Sequence, residues 1–213
     1  MSLKEILFEN YGYNEPIIAN ELKHMDVNLS AESLRRNLNR MVQNEELQRF
    51  SNGVYFFTKW NSVLKQNSKL SERLVVERKY IRSGDRVYGY LSGLAFANQL
   101  GITTQVPQHL EIVTEKTASK RRTIQLKSYR LTLKSPRVPV TAQNVKLLQI
   151  LDLLSETEIY AEVDTQTLKR KAFSYLDDLQ LSSEIIRTIV LNYPNKTAKR
   201  LMELELDHVL IRG

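Results

Sequence analysis

The sequence predicts an α+β fold in two parts: a helical module closed by a β-hairpin, then a second mixed domain with a small antiparallel sheet and C-terminal helices. Three observations carry this. Residues 30–47 (SAESLRRNLNRMVQNEEL) place Leu34, Leu38, Met41 and Val42 on one side of a helix at about 100° per residue. Asn52-Gly53 stands between two apolar runs, 47–50 and 54–57, and a tight hairpin needs positive φ at its tip. Farther on, residues 123–127 and 129–134 alternate apolar and polar side chains as half-buried strands do, and helical patterning resumes from Thr141.

In chain order, residues 2–11 read as a first helix, with Leu3, Ile6 and Leu7 on one side and Gly12 as its stop. Asn14 is placed to cap a second helix, with Glu15 and Pro16 in the first turn and Ile17, Ile18 and Leu22 as the apolar face. A short polar connection, Asp26-Val27-Asn28-Leu29, leads to Ser30, the expected cap of the third helix. Three short helices and then a hairpin make the order of a winged helix-turn-helix. That assigns residues 1–60 to a DNA-binding domain and 61–213 to a second domain, with a basic α/β part at 71–139 and a helical part at 140–213. Residues 59–71, polar and holding the only tryptophan, are expected to link the two.

In the second domain, residues 72–80 read as a helix and Ser83-Gly84-Asp85 as a turn. Residues 91–100 form an apolar helix, with Gly93, Ala95 and Ala97 allowing close approach and Gly101 ending it. Residues 103–107 make a polar turn before a strand at 109–114. Helices are expected at 141–154, 165–179, 182–192 and 196–206, and Asp177, Asp178, Glu203, Glu205 and Asp207 make this tail acidic in patches. No repeat or low-complexity segment is present.

The formal charge of +7 suggests a polyanionic partner. It is unevenly spread: residues 1–60 carry a net −1, residues 61–140 a net +10 and residues 141–213 a net −2. The positive field therefore lies outside the module of the candidate base-reading helix, in the middle of the chain. With no cysteine, disulfides, zinc fingers and thiol catalysis are excluded. No run of apolar residues approaches the ~18 of a membrane span, and the N-terminus lacks the apolar core of a secretion signal, so a soluble cytoplasmic protein is expected.

The residues facing away from the apolar stripe of the third helix are Arg36, Arg40 and Gln43, with Ser33 and Asn39 at the margins. Forked guanidinium donors and amides suit base edges and phosphates, so these five are the candidate base-reading set. Arg49, Asn52 and Lys59 are the candidate phosphate or minor-groove contacts from the hairpin. Lys120, Arg121 and Arg122, continued by Lys127 and Arg130, would grip DNA backbone or a protein partner; the plainer alternative is a solvated hairpin tip.

Residues 88–107 (YGYLSGLAFANQLGITTQVP), about 30 residues after a winged helix ending in GVYF, resemble the AbiEi-type antitoxins. The matching residues are Gly89, Tyr90, Ser92, Gly93, Ala95, Asn98, Gln99, Leu100, Gly101, Thr103, Thr104, Gln105, Val106 and Pro107. The following strand, HLEIVTEK, also matches, with Glu115 where the family pattern has Asn; over the last 70 residues or so the resemblance is weaker. It implies an antitoxin of a type IV toxin–antitoxin, phage-defence system. Such a protein represses its own promoter at inverted repeats of double-stranded DNA, acting as monomer or weak dimer. It counters a nucleotidyltransferase toxin, in some cases without a stable complex. The motif itself reads mainly as structural, small residues for packing and hydroxyls for a rigid turn.

No catalytic constellation stands out. His24, His109 and His208 lack metal-ligand spacing. There is no phosphate-binding loop, no nucleophile elbow and no Gly-Ser turn followed by paired aspartates; Glu162 and Asp164 come nearest. The expectation is a protein that is not an enzyme and needs no cofactor or metal. The alternative is a protein-interaction or toxin-modifying factor whose winged helix is only a scaffold.

Overall fold

A computed structural model describes residues 1–25 and 29–206. The expected connection at 26–28, the Asp207 end of the acidic run and His208 lie outside the described residues. The chain divides into two compact units, Met1–Lys79 and Tyr80–Gly213.

The first unit begins with α1 (Leu3–Tyr11), started by a capping box in which the Ser2 hydroxyl and the Glu5 carboxylate accept each other's backbone N–H. Gly12, at φ +66°, ends it. There follow β1 (Ile17–Ile18), a single 3-10 turn at Leu22–His24, α2 (Ala31–Gln43), β2 (Gln48–Ser51) and β3 (Val54–Phe56). The three strands form an antiparallel sheet of order β1-β3-β2. The helix expected from Asn14 is absent. Asn14 sits at φ +60° and donates its backbone N–H to the Phe57 carbonyl, while Ile17 and Ile18 pair with Tyr55 and Val54. Two adjacent β-branched residues, both buried, suit a strand covered on both faces better than one stripe of a helix. Leu7, Ile17, Leu22, Leu34, Leu38, Leu47 and Tyr55 form the core.

The stretch expected to be a linker folds as a second small hairpin, β4 (Trp60–Asn61) with β5 (Gln66–Asn67), followed by α3 (Glu72–Tyr80). It is tied to what precedes it. The Lys59 N–H donates to Ser68 Oγ at 2.8 Å, Ser68 Oγ donates to Asn14 Oδ1 at 2.5 Å, and Arg78 Nε donates to Glu21 Oε2 at 3.1 Å. These bonds carry the unit on to Lys79, beyond the boundary expected at residue 60.

The second unit opens with a short hairpin, β6 (Arg82–Ser83) and β7 (Arg86–Val87), then β8 (Gly89–Ser92), α4 (Gly93–Gln99), β9 (His109–Thr114), β10 (Arg121–Leu126) and β11 (Tyr129–Lys134). The four longer strands order as β10-β11-β9-β8. The outer pairs are antiparallel, but β9 and β11 run parallel, so the sheet is mixed rather than wholly antiparallel. Leu91 and Ser92, expected in the helix, instead pair with Ile112 and Glu111. Five helices complete the unit: α5 (Val145–Ser155), α6 (Thr157–Tyr160), α7 (Thr165–Leu176), α8 (Ser183–Val190) and α9 (Asn195–Glu203). Helix α5 is buried on most sides, with Leu147, Ile150 and Leu151 fully enclosed, and the core gathers around it. No helix among the described residues is long and apolar enough to cross a membrane.

Candidate nucleic-acid interface

Helix α2 begins where the Ser30 hydroxyl accepts the Ser33 N–H at 3.1 Å. It is anchored by Leu34, Leu38 and Met41, all buried. Burial of each such side chain contributes roughly 1.5–3 kcal/mol, which fixes the helix's rotation and turns its polar side outward. Arg35, Arg36, Asn39, Arg40 and Gln43 are exposed, and Ser33 is half-buried. The arginines differ in what holds them. Arg36 is ion-paired with Glu32 at 3.3 Å, one turn back, and Arg40 donates to Asn37 Oδ1 at 2.9 Å. Arg35 has no such partner among the described residues.

The β2–β3 hairpin turns at Asn52-Gly53, with Gly53 at φ +73°. Arg49 Nη2 donates to Asn52 Oδ1 at 2.9 Å, so the hairpin's cation is held at its tip. Between hairpin and helix lies a groove of about 450 Å³, lined by Lys23, Arg35 and Asn39 on one side and Arg49 and Asn52 on the other. The one carboxylate among its described lining residues, Glu32, is already engaged by Arg36. Of the residues expected from the sequence, the groove brings together Asn39, Arg49 and Asn52. Arg36, Arg40 and Gln43 lie on the outer side of α2 and do not line it; nor does Ser33. Lys59 lies past the end of β3, its backbone bonded to Ser68. Arg35 and Lys23 were not among the expected residues. Ala31, Arg35 and Asn39, spaced four apart, form one ridge along the flank of α2. That ridge is visible in the sequence, but which flank the hairpin faces is not.

In the second unit, the basic run does not form one patch. Adjacent residues of a strand point to opposite faces, so Arg121 and Arg122 diverge. Arg121 comes within 3.8 Å of Glu111, on the face shared by Lys134, whereas Arg122 belongs to the other face. Lys120, Lys127 and Arg130 are exposed, and Arg130 pairs across the sheet with Gln125 and His109.

The residues of the 89–107 motif are engaged locally. Gly89 has no room for a side chain: a Cβ there would lie 2.1 Å from the Tyr80 carbonyl oxygen and 2.7 Å from that of Val113. Tyr90 donates its hydroxyl to Asp152 Oδ2 at 2.7 Å; burial raises the pKa of both groups, so the phenol stays protonated. Gly93, at φ +59°, packs against Glu111. Asn98 Nδ2 donates to the carbonyls of Thr103 and Gln105, and Gly101, at φ +72°, turns the chain into that loop. The loop is fastened by Glu162, whose carboxylate accepts from the Thr104 N–H at 2.7 Å, from Gln105 Nε2 at 2.8 Å and from Thr104 Oγ1 at 3.1 Å. Those bonds, the backbone one foremost, hold the Glu162 pKa down at about 2. Thr103 is buried and accepts the Gln105 N–H, Gln99 is exposed and Pro107 half-buried. Glu115, at the position where the resemblance has Asn, accepts the Val140 N–H at 2.8 Å.

No curated protein matches this chain. One family does, over residues 21–172, a span that takes in α2, its hairpin, the motif and the sheet of the second unit. The chain belongs to DUF6088, a family of unknown function.

Proposed function

We propose that this protein is a DNA-binding repressor of its own promoter and the antitoxin of a type IV toxin–antitoxin pair, acting against a nucleotidyltransferase toxin. The observation that carries the DNA part is the exposed, arginine-bearing face of α2 beside a hairpin that holds Arg49 at its tip. The order helix, strand, 3-10 turn, helix, hairpin, with the first strand joined to the last, supports reading the first unit as a winged helix-turn-helix. On this reading α2 enters the major groove. Arg36, Arg40, Gln43 and Asn39 meet base edges there, while Arg35 and Arg49 hold the phosphate strand that passes between helix and hairpin. Lys127 and Arg130 add sequence-independent affinity by releasing counterions. The antitoxin part rests on the 89–107 motif and its resemblance.

A gel-shift with the duplex upstream of the protein's own gene, at two salt concentrations, tests it. Sequence-preferring binding that weakens steeply with salt is expected. Arg36→Ala with Arg40→Ala should abolish repression and leave antitoxicity intact. Antitoxicity lost with repression intact would favour the scaffold alternative, in which the first unit only presents the second to a protein partner.

A further inference from the structure

DNA binding leaves a cleft in the second unit without a role. It opens where the ends of β10 and β11 and the 135–137 turn meet the second half of α5, and it encloses about 580 Å³. Pockets for small organic ligands span roughly 300–1,000 Å³. At its mouth stand Lys120 and Arg137, both exposed and neither ion-paired to a carboxylate among the described residues. The Arg137 guanidinium lies over the Tyr193 ring, 5.2 Å from its centroid, which limits where its donors can point. Farther in is Ser92, buried to 4% exposure, whose hydroxyl makes no hydrogen bond among the described residues. Glu156 forms part of the wall: one oxygen accepts the Tyr160 hydroxyl at 2.8 Å and the other lies 3.5 Å from Lys134, which is itself 2.6 Å from Glu111. Asp152, bonded to Tyr90, also lines the cleft.

The pairing of the charges selects the ligand. Of the four cations among the cleft's described lining residues, Arg121 and Lys134 are held by Glu111, which leaves Lys120 and Arg137 for an anion. The Ser92 hydroxyl and the Glu156 carboxylate add neutral and acidic oxygen atoms to the same lining. A molecule with phosphate at one end and hydroxyls at the other meets Lys120 and Arg137 with the first and the Ser92 hydroxyl and Glu156 with the second. We propose that this cleft binds a nucleoside phosphate, with its phosphates on Lys120 and Arg137 and its sugar hydroxyls on Glu156 and Ser92.

Isothermal titration of the full chain with AMP, GMP, CMP, UMP and ATP, and with adenosine and inorganic phosphate, tests this. At least one nucleotide should bind, and adenosine and inorganic phosphate should each bind about tenfold more weakly or worse. Lys120→Gln with Arg137→Gln should weaken nucleotide binding by about tenfold or more, the loss typical of a charged hydrogen bond. Both residues are exposed, so an unchanged melting curve should show that this double variant is folded. Glu156→Gln should weaken nucleotide binding and leave inorganic phosphate unaffected. The proposal is overturned if no nucleotide binds, if the double variant binds as well as the parent, or if inorganic phosphate binds as tightly as nucleotide. Displacement of the nucleotide by duplex DNA would also overturn it, by returning the cleft to the DNA-binding surface.

Discussion

Replacing Arg35 and Arg49 together by alanine tests the groove between α2 and its hairpin most directly. Both side chains line the groove from opposite sides, and both are exposed, so neither is needed for the core. Surface changes of this kind usually alter stability by less than about 0.5 kcal/mol. If each arginine neutralises one phosphate, losing both lowers the slope of log K against log salt by about 1.8. A hydrogen bond to a charged group contributes about 1.5–3 kcal/mol, and solvated side chains belong at the low end. Two such losses therefore weaken binding about a hundredfold at low salt. Arg36→Ala alone should cost less. That residue must first leave Glu32, a surface pair with 0–1 kcal/mol or so in its favour. Fluorescence anisotropy with a labelled upstream duplex and a scrambled one, across a salt series, reads both quantities. Arg35 and Arg49 should lower affinity for both duplexes alike, whereas Arg40→Ala and Gln43→Ala should bring the two affinities together. An unaltered slope in the Arg35/Arg49 double variant would refute the assignment of the groove to the phosphate strand.

Other consequences can be checked on the isolated protein. Gly89→Ala forces a Cβ to 2.1 Å from the Tyr80 carbonyl oxygen, and since the obstacle is backbone the expected loss is about 3 kcal/mol or more, read as a large fall in melting temperature. Glu162 has its pKa lowered from 4.5 to about 2, so it stabilises the fold above pH 4.5 and this contribution is lost as pH falls towards 2. Protection of the Thr104 amide, taken relative to its intrinsic exchange rate at each pH, should fall through that window, and Glu162→Ala should remove it at neutral pH. Asp152 has its pKa raised by burial, so its contribution runs the other way: the fold loses stability as pH rises through the raised value. Asp152→Asn, which keeps an acceptor for Tyr90, should raise the melting temperature at neutral pH and lose that advantage below the ordinary aspartate value of 3.8. Tyr90→Phe leaves the carboxyl without its donor and should cost about 1–3 kcal/mol.

What could be read from the sequence was what neighbouring residues decide. Ser30 with Leu34, Leu38 and Met41 specifies α2, and Asn52-Gly53 specifies the hairpin, because capping, periodicity and positive φ are local properties. Ile17-Ile18 forms a strand where a helix is expected, because two apolar residues suit either state and the partner strand that decides between them lies 36 residues or so away in the sequence. The β4–β5 hairpin turns with Lys65 at φ +48°, a conformation that its residue type does not advertise. The parallel pairing of β9 with β11 left no mark in either strand's own pattern. On α2, helical periodicity separates the buried from the exposed positions and selects the side opposite the apolar stripe, where Arg36 and Arg40 stand. Arg35 lies on the flank, and its place beside the hairpin depends on tertiary packing that periodicity does not carry. The 103–105 turn was visible as a turn; its fastening to Glu162 was not, because that carboxylate arrives from 57 or 58 residues farther on.

Strand β11 is the last of its sheet to be made, yet it stands between β9 and β10. On the ribosome, therefore, β10 emerges with no neighbour to bond and β9 with β8 on one edge alone, and its other edge stays open until Leu131 and Leu133 follow it out. A stop codon or a long pause in translation before residue 129 leaves β9 as an open template for other nascent chains, so interrupted synthesis should yield aggregate rather than a smaller folded domain.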